Sequence, residues 1–190
     1  MRLFVAIDIP DEVRASISAL VSKLRPACPK ARWTRIEGLH VTLKFIGETP
    51  DTSFSEIKAA LALVVPRPPI TIHFRGLGFF PNARRPRVFW AGVEAGPELA
   101  ALARAVEDVL HPLGIARETR DFSPHLTLAR FDPPRPVEEL HAATEKAGSL
   151  DFGGATAEHF YVYQSVLKRG GAEYTRLATF PFGGSQPGES

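Results

Sequence analysis

The sequence predicts an α+β fold made of two related halves, and three observations carry that prediction. Stretches with helical periodicity alternate with runs rich in Val, Ile, Phe, Tyr and Thr, the pattern of helices packed on sheets. The four-residue word HVTL at 40–43 returns as HLTL at 125–128, 85 positions later (125 − 40). Each copy follows a strand and a helix and precedes another helix, so the halves share an order as well as a word. The economical arrangement sets the two word-bearing strands beside or across a cleft, about an approximate two-fold axis.

Taken in order, the first strand is expected over 2–8, where RLFVAID is rich in strand formers. A helix follows over 11–25, because Val13, Ile17, Leu20, Val21 and Leu24 line one face. The strand at 39–46 carries HVTL. The helix at 53–64 is anchored by Phe54, Ile57, Leu61 and Val64, with Ser53 and Glu56 spaced as a capping box. Strands at 70–78 and 87–94 flank a short Pro-containing turn, which favours antiparallel pairing. Pro97 opens a helix over 97–110 whose apolar face is Leu99, Leu102, Val106 and Val109. The strand at 125–130 carries HLTL. A weaker helix over 136–147 hangs on Val137 and Leu140, and strands at 149–156, 158–167 and 173–182 close the fold. Residues 1–182 are expected to form one bilobal domain of mainly antiparallel sheets packed by helices. The tail GGSQPGES, 183–190, reads as disordered.

Bulk composition sets the outer limits. With 190 residues, 44% hydrophobic and 23% charged, the chain can bury a real core without metal or disulfide staples. A single cysteine, Cys28, excludes an internal disulfide and a multi-cysteine zinc site, and fits a reducing compartment. The start MRLFVAIDIP lacks the regions of a signal peptide, and no run reaches the ~18 apolar residues of a membrane span. A cytoplasmic monomer is the expectation. Net charge is only +2, but arginines cluster in ARRPR at 83–87 and basic residues in KRG at 168–170. The planar guanidinium fork suits phosphate, so the charge permits a nucleic-acid partner without diagnosing one. Solvated loops are the plainer reading of both clusters.

The repeated word has a chemical side and a dry side. Strand side chains alternate, so His40 and Thr42 face one way while Val41 and Leu43 face the other. His125 and Thr127 oppose Leu126 and Leu128 in the same manner. Two such strands bring two imidazoles and two hydroxyls to one place. With an ordinary pKa near ~6.5, one neutral and one protonated imidazole make a general base and a general acid. Threonine hydroxyls donate to non-bridging phosphate oxygens, and the set suits in-line displacement at phosphorus. Two histidines are a thin metal ligand set, although Glu37 and Asp121 lie nearby in sequence and leave that option standing. No G-x-S-x-G elbow, Walker loop or G-x-G-x-x-G fingerprint is present. For one copy of the word, a structural strand histidine is the more economical explanation; its duplication at matching places favours function.

At these residues the chain resembles the 2H phosphoesterase superfamily, and more narrowly the RNA 2′,3′-cyclic phosphodiesterases, also called 2′-5′ RNA ligases. The matching stretches are RLFVAIDIP (2–10), RWTRIEGLHVTLKFIGE (32–48), VFWAGVE (88–94), FSPHLTLARF (122–131) and VYQSVLKRGGAEYTRLATFPF (162–182). The resemblance implies a bilobal, pseudo-symmetric fold with a cleft between lobes. It implies metal-independent, cofactor-free opening of a 2′,3′-cyclic phosphate at an RNA end to a 2′-phosphate. By it, His40 is the proton donor to the leaving 3′ oxygen, His125 the proton acceptor from water, and Thr42 and Thr127 hold phosphate oxygens. Reversed, the same pair joins a cyclic phosphate to a 5′-hydroxyl through a 2′-5′ linkage. The competing reading is an RNA- or nucleotide-binding module that keeps the cleft without turnover.

Residues beside the words carry further expectations. Continued alternation aims Lys44 into the cleft toward phosphate; its counterpart is Ala129. Arg130 matches the resemblance as a phosphate or nucleotide ligand, but alternation turns it away from His125 unless the strand bulges. Phe45, Trp33 and Trp90 offer rings for a base, with core packing the expected use of Phe45 and Trp90. The loop Arg84-Arg85-Pro86-Arg87 is a candidate guide for an RNA backbone.

Overall fold

A computed structural model of the protein describes residues 1–148 and 150–183. The chain runs β1 (Arg2–Ile7), α1 (Asp11–Leu24), β2 (Arg32–Trp33), β3 (Val41–Glu48), α2 (Phe54–Leu61), β4 (Ile70–Phe80), β5 (Val88–Ala95), α3 (Pro97–Leu110), β6 (His125–Arg130), α4 (Glu138–Glu145), β7 (Asp151–Ala157), β8 (His159–Lys168) and β9 (Gly171–Pro181). Short 3-10 turns join several of these elements.

The described strands form two sheets, ordered β3-β1-β8-β9 and β2-β6-β5-β4-β7, with antiparallel pairing throughout. Aligned on the motif strands, β3-β1-β8-β9 corresponds to β6-β5-β4-β7, and β2 is an addition at one edge. In each half a strand, a helix and a motif strand fold so that the first strand pairs with the motif strand. That is the duplicated α+β arrangement expected from the repeated word. The two motif strands meet where the sheets adjoin, since β3 contacts β6.

The helices lace the halves together. α1 packs on β7 and α4, while α3 packs on β3 and α2, so each long helix covers a strand of the opposite sheet. Buried residues from both halves accordingly form one continuous cluster. All five apolar positions expected of α1 are buried. In α3 the buried stripe ends on Leu110 instead of the half-buried Val109, because the chain coils on into a 3-10 turn there.

Other boundaries moved for local reasons. A 3-10 turn at Asp51–Ser53 leads into α2, leaving Ser53 already helical (φ −85, ψ −8) with no side-chain cap bond. A capping residue needs extended backbone, so the expected Ser53–Glu56 box does not form. β2 has only two residues, too few to carry a pattern. The start of the strand expected from 149, and the expected disordered tail beyond Gly183, lie outside the described residues. Among the described residues no helix is long and apolar enough to cross a membrane.

Lys44 corrects its expectation. Along β3, Val5 pairs with Lys44 but Ala6 pairs with Thr42, so Leu43 is an inserted residue and the strand bulges. Alternation breaks, Leu43 and Lys44 are buried in succession, and the ammonium turns into the interface with α3. There its Nζ donates to Glu107 Oε1 (2.8 Å) and to the Ala116 carbonyl (2.6 Å), with the side chain only 5% exposed. Glu107 also accepts from the Glu118 amide (2.7 Å), and burial opposes these bonds in setting its pKa, which they hold below the usual carboxylate range. The pair bolts the first half of the chain to the second. Lys44→Ala should therefore cost about 2–4 kcal/mol of stability by leaving Glu107 with one donor fewer. A urea midpoint unchanged from wild type would contradict that structural role.

Candidate active site

Two identical devices hold the two histidines. His40 Nδ1 lies 2.6 Å from the Gly38 carbonyl, and His125 Nδ1 lies 2.8 Å from the Ser123 carbonyl, each two residues back along the chain. A carbonyl only accepts, so each Nδ1 carries the hydrogen. Nε2 is then the atom of either ring that takes or gives a proton. Thr42 and Thr127, partly buried, share their histidines' faces, while Val41, Leu43, Leu126 and Leu128 are buried on the other side.

The settings of the rings differ. His40 stacks on Phe4 at 4.5 Å (28°) and meets the edge of Tyr174 at 5.1 Å (90°). Tyr174 reaches it across Gly38, where an added Cβ would fall 2.9 Å from Tyr174 Cε2. His125 meets Phe80 edge-on at 5.1 Å (86°), its one ring neighbour among the described residues. Burial lowers the His40 pKa to about 4, against the opposing pull of the Gly38 bond and Asp8 and with help from the charges of Arg130 and Arg14. Burial also lowers His125, opposed by the Ser123 bond and reinforced by Arg130. Both imidazoles are thus neutral at neutral pH.

Arg130 lies close enough to act on both imidazoles, and a second bulge brings it there. Phe89 pairs with Ala129 but Trp90 with Thr127, so Leu128 is an inserted residue, matching Leu43 in the other half. Leu128 and Ala129 are buried in succession and Arg130 emerges exposed. The equivalent residue in β3 is Phe45, paired with Phe4, 6.2 Å from its ring and 56% exposed. Phe45 is therefore on the histidine face and not in the core, contrary to expectation. The bulges exchange the expected roles: Lys44 and Ala129 go inward, Phe45 and Arg130 outward.

The other aromatic candidates divide. Trp33 donates its indole N–H to the Cys28 carbonyl (2.9 Å) and sets its edge on Phe89 at 6.1 Å, so it braces the β2–β6 edge. Trp90 lies over Gly78, where any Cβ would sit 2.1 Å from its ring, and tilts against Phe80. The arginine loop ends beside β6, where the Phe131 amide donates to the Arg87 carbonyl (2.9 Å), and Arg84, Arg85 and Arg87 are exposed. Phe4, Tyr174 and Phe80, which pack the histidine rings, drew no notice in the sequence, because aromatic residues in strands look alike whichever face they take.

A family model described as the 2′-5′ RNA ligase superfamily matches residues 6–167. The chain belongs to that superfamily. A protein of Archaeoglobus fulgidus named RNA 2′,3′-cyclic phosphodiesterase is 36% identical over 180 residues, 95% of this chain and 99% of its own. One of Thermus thermophilus with the same name is 34% identical, covering 97% of this chain and 91% of its own. The crystal structure of a Thermus thermophilus protein superposes with a TM-score of 0.80 at 32% identity, over 98% of this chain and 100% of that one. Escherichia coli LigT complexed with 3′-AMP superposes with a TM-score of 0.73 at 27% identity, over 95% and 97%. As in these superfamily relatives, the two-sheet α+β architecture spans nearly the whole chain.

The depressed histidine pKa values fix the sign of a pH dependence. A histidine with a depressed pKa stabilises the fold fully above its unfolded value and loses that contribution as pH falls through its folded value. His40 and His125 should each weaken the fold progressively from about pH 6.5 downward. NMR titration should find His40 near pH 4, with His125 below its ordinary value. Two ordinary midpoints would mean the rings are wet.

Proposed function

We propose that this cleft opens 2′,3′-cyclic phosphates at RNA ends by acid–base catalysis between His40 and His125. One observation carries the reading: each ring is tied at Nδ1 to a backbone carbonyl, which leaves Nε2 to handle protons, and both rings feel the same Arg130. The relatives' shared name supplies the substrate class. His125 Nε2 accepts a proton from water, whose oxygen attacks phosphorus. The bond from phosphorus to the 3′ oxygen breaks, and His40 Nε2–H protonates that oxygen, leaving a 2′-phosphate. Thr42 and Thr127 donate to the non-bridging oxygens as charge gathers there.

The depressed pKa of His40 suits a donor only once substrate is bound. A phosphodiester anion beside the ring favours the imidazolium and offsets the burial that keeps it neutral. Proton uptake thus accompanies binding. Arg130 meets the phosphate or its nucleotide, Phe45 presents a ring face to the base, and Arg84, Arg85 and Arg87 line the way out for the RNA backbone. Both histidines belong to one chain, so we propose a monomer acting in the cytoplasm, with residues 1–182 as one domain.

Hydrolysis of a nucleoside 2′,3′-cyclic phosphate in EDTA tests the reading. His40→Ala and His125→Ala should each lower kcat by about 10²–10⁴-fold, and each threonine variant by less. The kcat/KM profile should be a bell with both limbs below the ordinary histidine value of about 6.5, since it reports the free enzyme. Nucleotide binding without turnover would favour the non-catalytic module. Phe45→Ala should raise KM about ten-fold with little change in kcat; an unchanged KM would remove the base from that wall.

A further inference from the structure

The two histidines share a tether, and the carbonyl that holds His40 sits in a turn clamped on both sides. Gly38, which accepts from His40, sits in the 3-10 turn Ile36–Gly38. Arg14 of α1 spans that turn, donating through Nη1 to the Ile36 carbonyl (2.7 Å) and the Leu39 carbonyl (3.4 Å) on either side of Gly38. Its Nη2 donates to Asp8 Oδ1 (2.9 Å) and to the Ile9 carbonyl (3.3 Å). Asp8 in turn accepts from Arg176 Nη2 through Oδ2 (2.8 Å), and the Arg176 guanidinium lies 3.8 Å over the Tyr161 ring. The Arg14 side chain is 16% exposed, and these bonds use both ends of its fork.

We infer that Arg14 is a positioning residue for His40, holding the Ile36–Gly38 turn so that the Gly38 carbonyl fixes the tautomer and angle of the ring, with Asp8 orienting the guanidinium. The inference rests on the catalytic reading of the cleft for its kinetic consequence, though not for its structural one. Arg14 is one turn into a helix and touches neither motif. Its bonds go to backbone carbonyls, which a rigid fork can bridge in pairs and a single ammonium cannot. A free turn would let the carbonyl drift: the neutral ring would sample the tautomer with hydrogen on Nε2, and the substrate-bound imidazolium would lose the angle that aims Nε2–H at the leaving oxygen. His125 takes its carbonyl from the exposed stretch before β6 and stands outside this network.

The test uses Arg14→Met, which keeps the aliphatic stem and removes every donor, and Asp8→Asn, which loosens the guanidinium. Ring-nitrogen NMR of His40 and His125 is read alongside kcat and KM for a nucleoside 2′,3′-cyclic phosphate, after thermal melting confirms folding. Arg14→Met should show a mixed His40 tautomer, unaltered His125 resonances, and a kcat lower by about 10- to 100-fold at nearly constant KM. Asp8→Asn should move both readouts the same way by less. Wild-type His40 resonances in folded Arg14→Met would overturn the inference. So would a change shared equally by His125, which marks general loosening. Should Arg14→Met not fold, Arg14→Lys replaces it and is judged by the same resonances. If wild type turns over no cyclic phosphate, the catalytic reading fails while the resonances still decide the role of Arg14.

Discussion

A strand that must bury Val and Leu on one face has no choice about the other. Val41 and Leu43, with Leu126 and Leu128, sit in a single core shared by both halves. Burying such side chains is favourable by about 1.5–3 kcal/mol each, whereas exposing them forfeits that gain. A register slip of one residue would put all four in water and the histidines in the core. The hydrophobic half of HxTL therefore points the polar half at the cleft, in both copies.

The bulge at the last residue of each word modifies that rule in one place and so gives the cleft its character. Had alternation run on regularly through Leu43 and Leu128, a lysine and an alanine would follow the threonines on the cleft face. With the bulges, an exposed phenylalanine stands on one side and an arginine on the other. The two words are close to symmetric, yet an aromatic ring and a guanidinium fork are not interchangeable. The same bulge in both halves turns unlike residues, Phe45 and Arg130, to the histidine face, so asymmetry enters where the duplicated sequence stops. The displaced Lys44 finds other work, pairing with Glu107 across the two halves.

Dryness and proton chemistry pull against each other here. Rings packed by Phe4, Tyr174 and Phe80 are held at fixed angles, and the same packing strips away the water that would stabilise an imidazolium. Burial holds both imidazoles below their ordinary pKa, and an anion beside them would favour the charged form. His40, the more enclosed of the two, is also the one whose tethering turn is bonded on both sides by Arg14.

Periodicity and repetition were enough to determine the α+β class, the buried face of α1, the paired order of the two halves, and the facing of His40, Thr42, His125 and Thr127. These depend on spacing within a strand or helix, which is local and written in the chain. The destinations of Lys44, Phe45 and Arg130 were not legible, because a bulge arises from pairing with a neighbouring strand. A run such as HVTLKF reads the same with or without it. The two-residue β2, the cross-packed helices and the reach of Arg14 to 36–39 were invisible for the same reason. Which residues meet across tens of positions is decided by how the sheets and helices close on one core, and only the tertiary structure holds that.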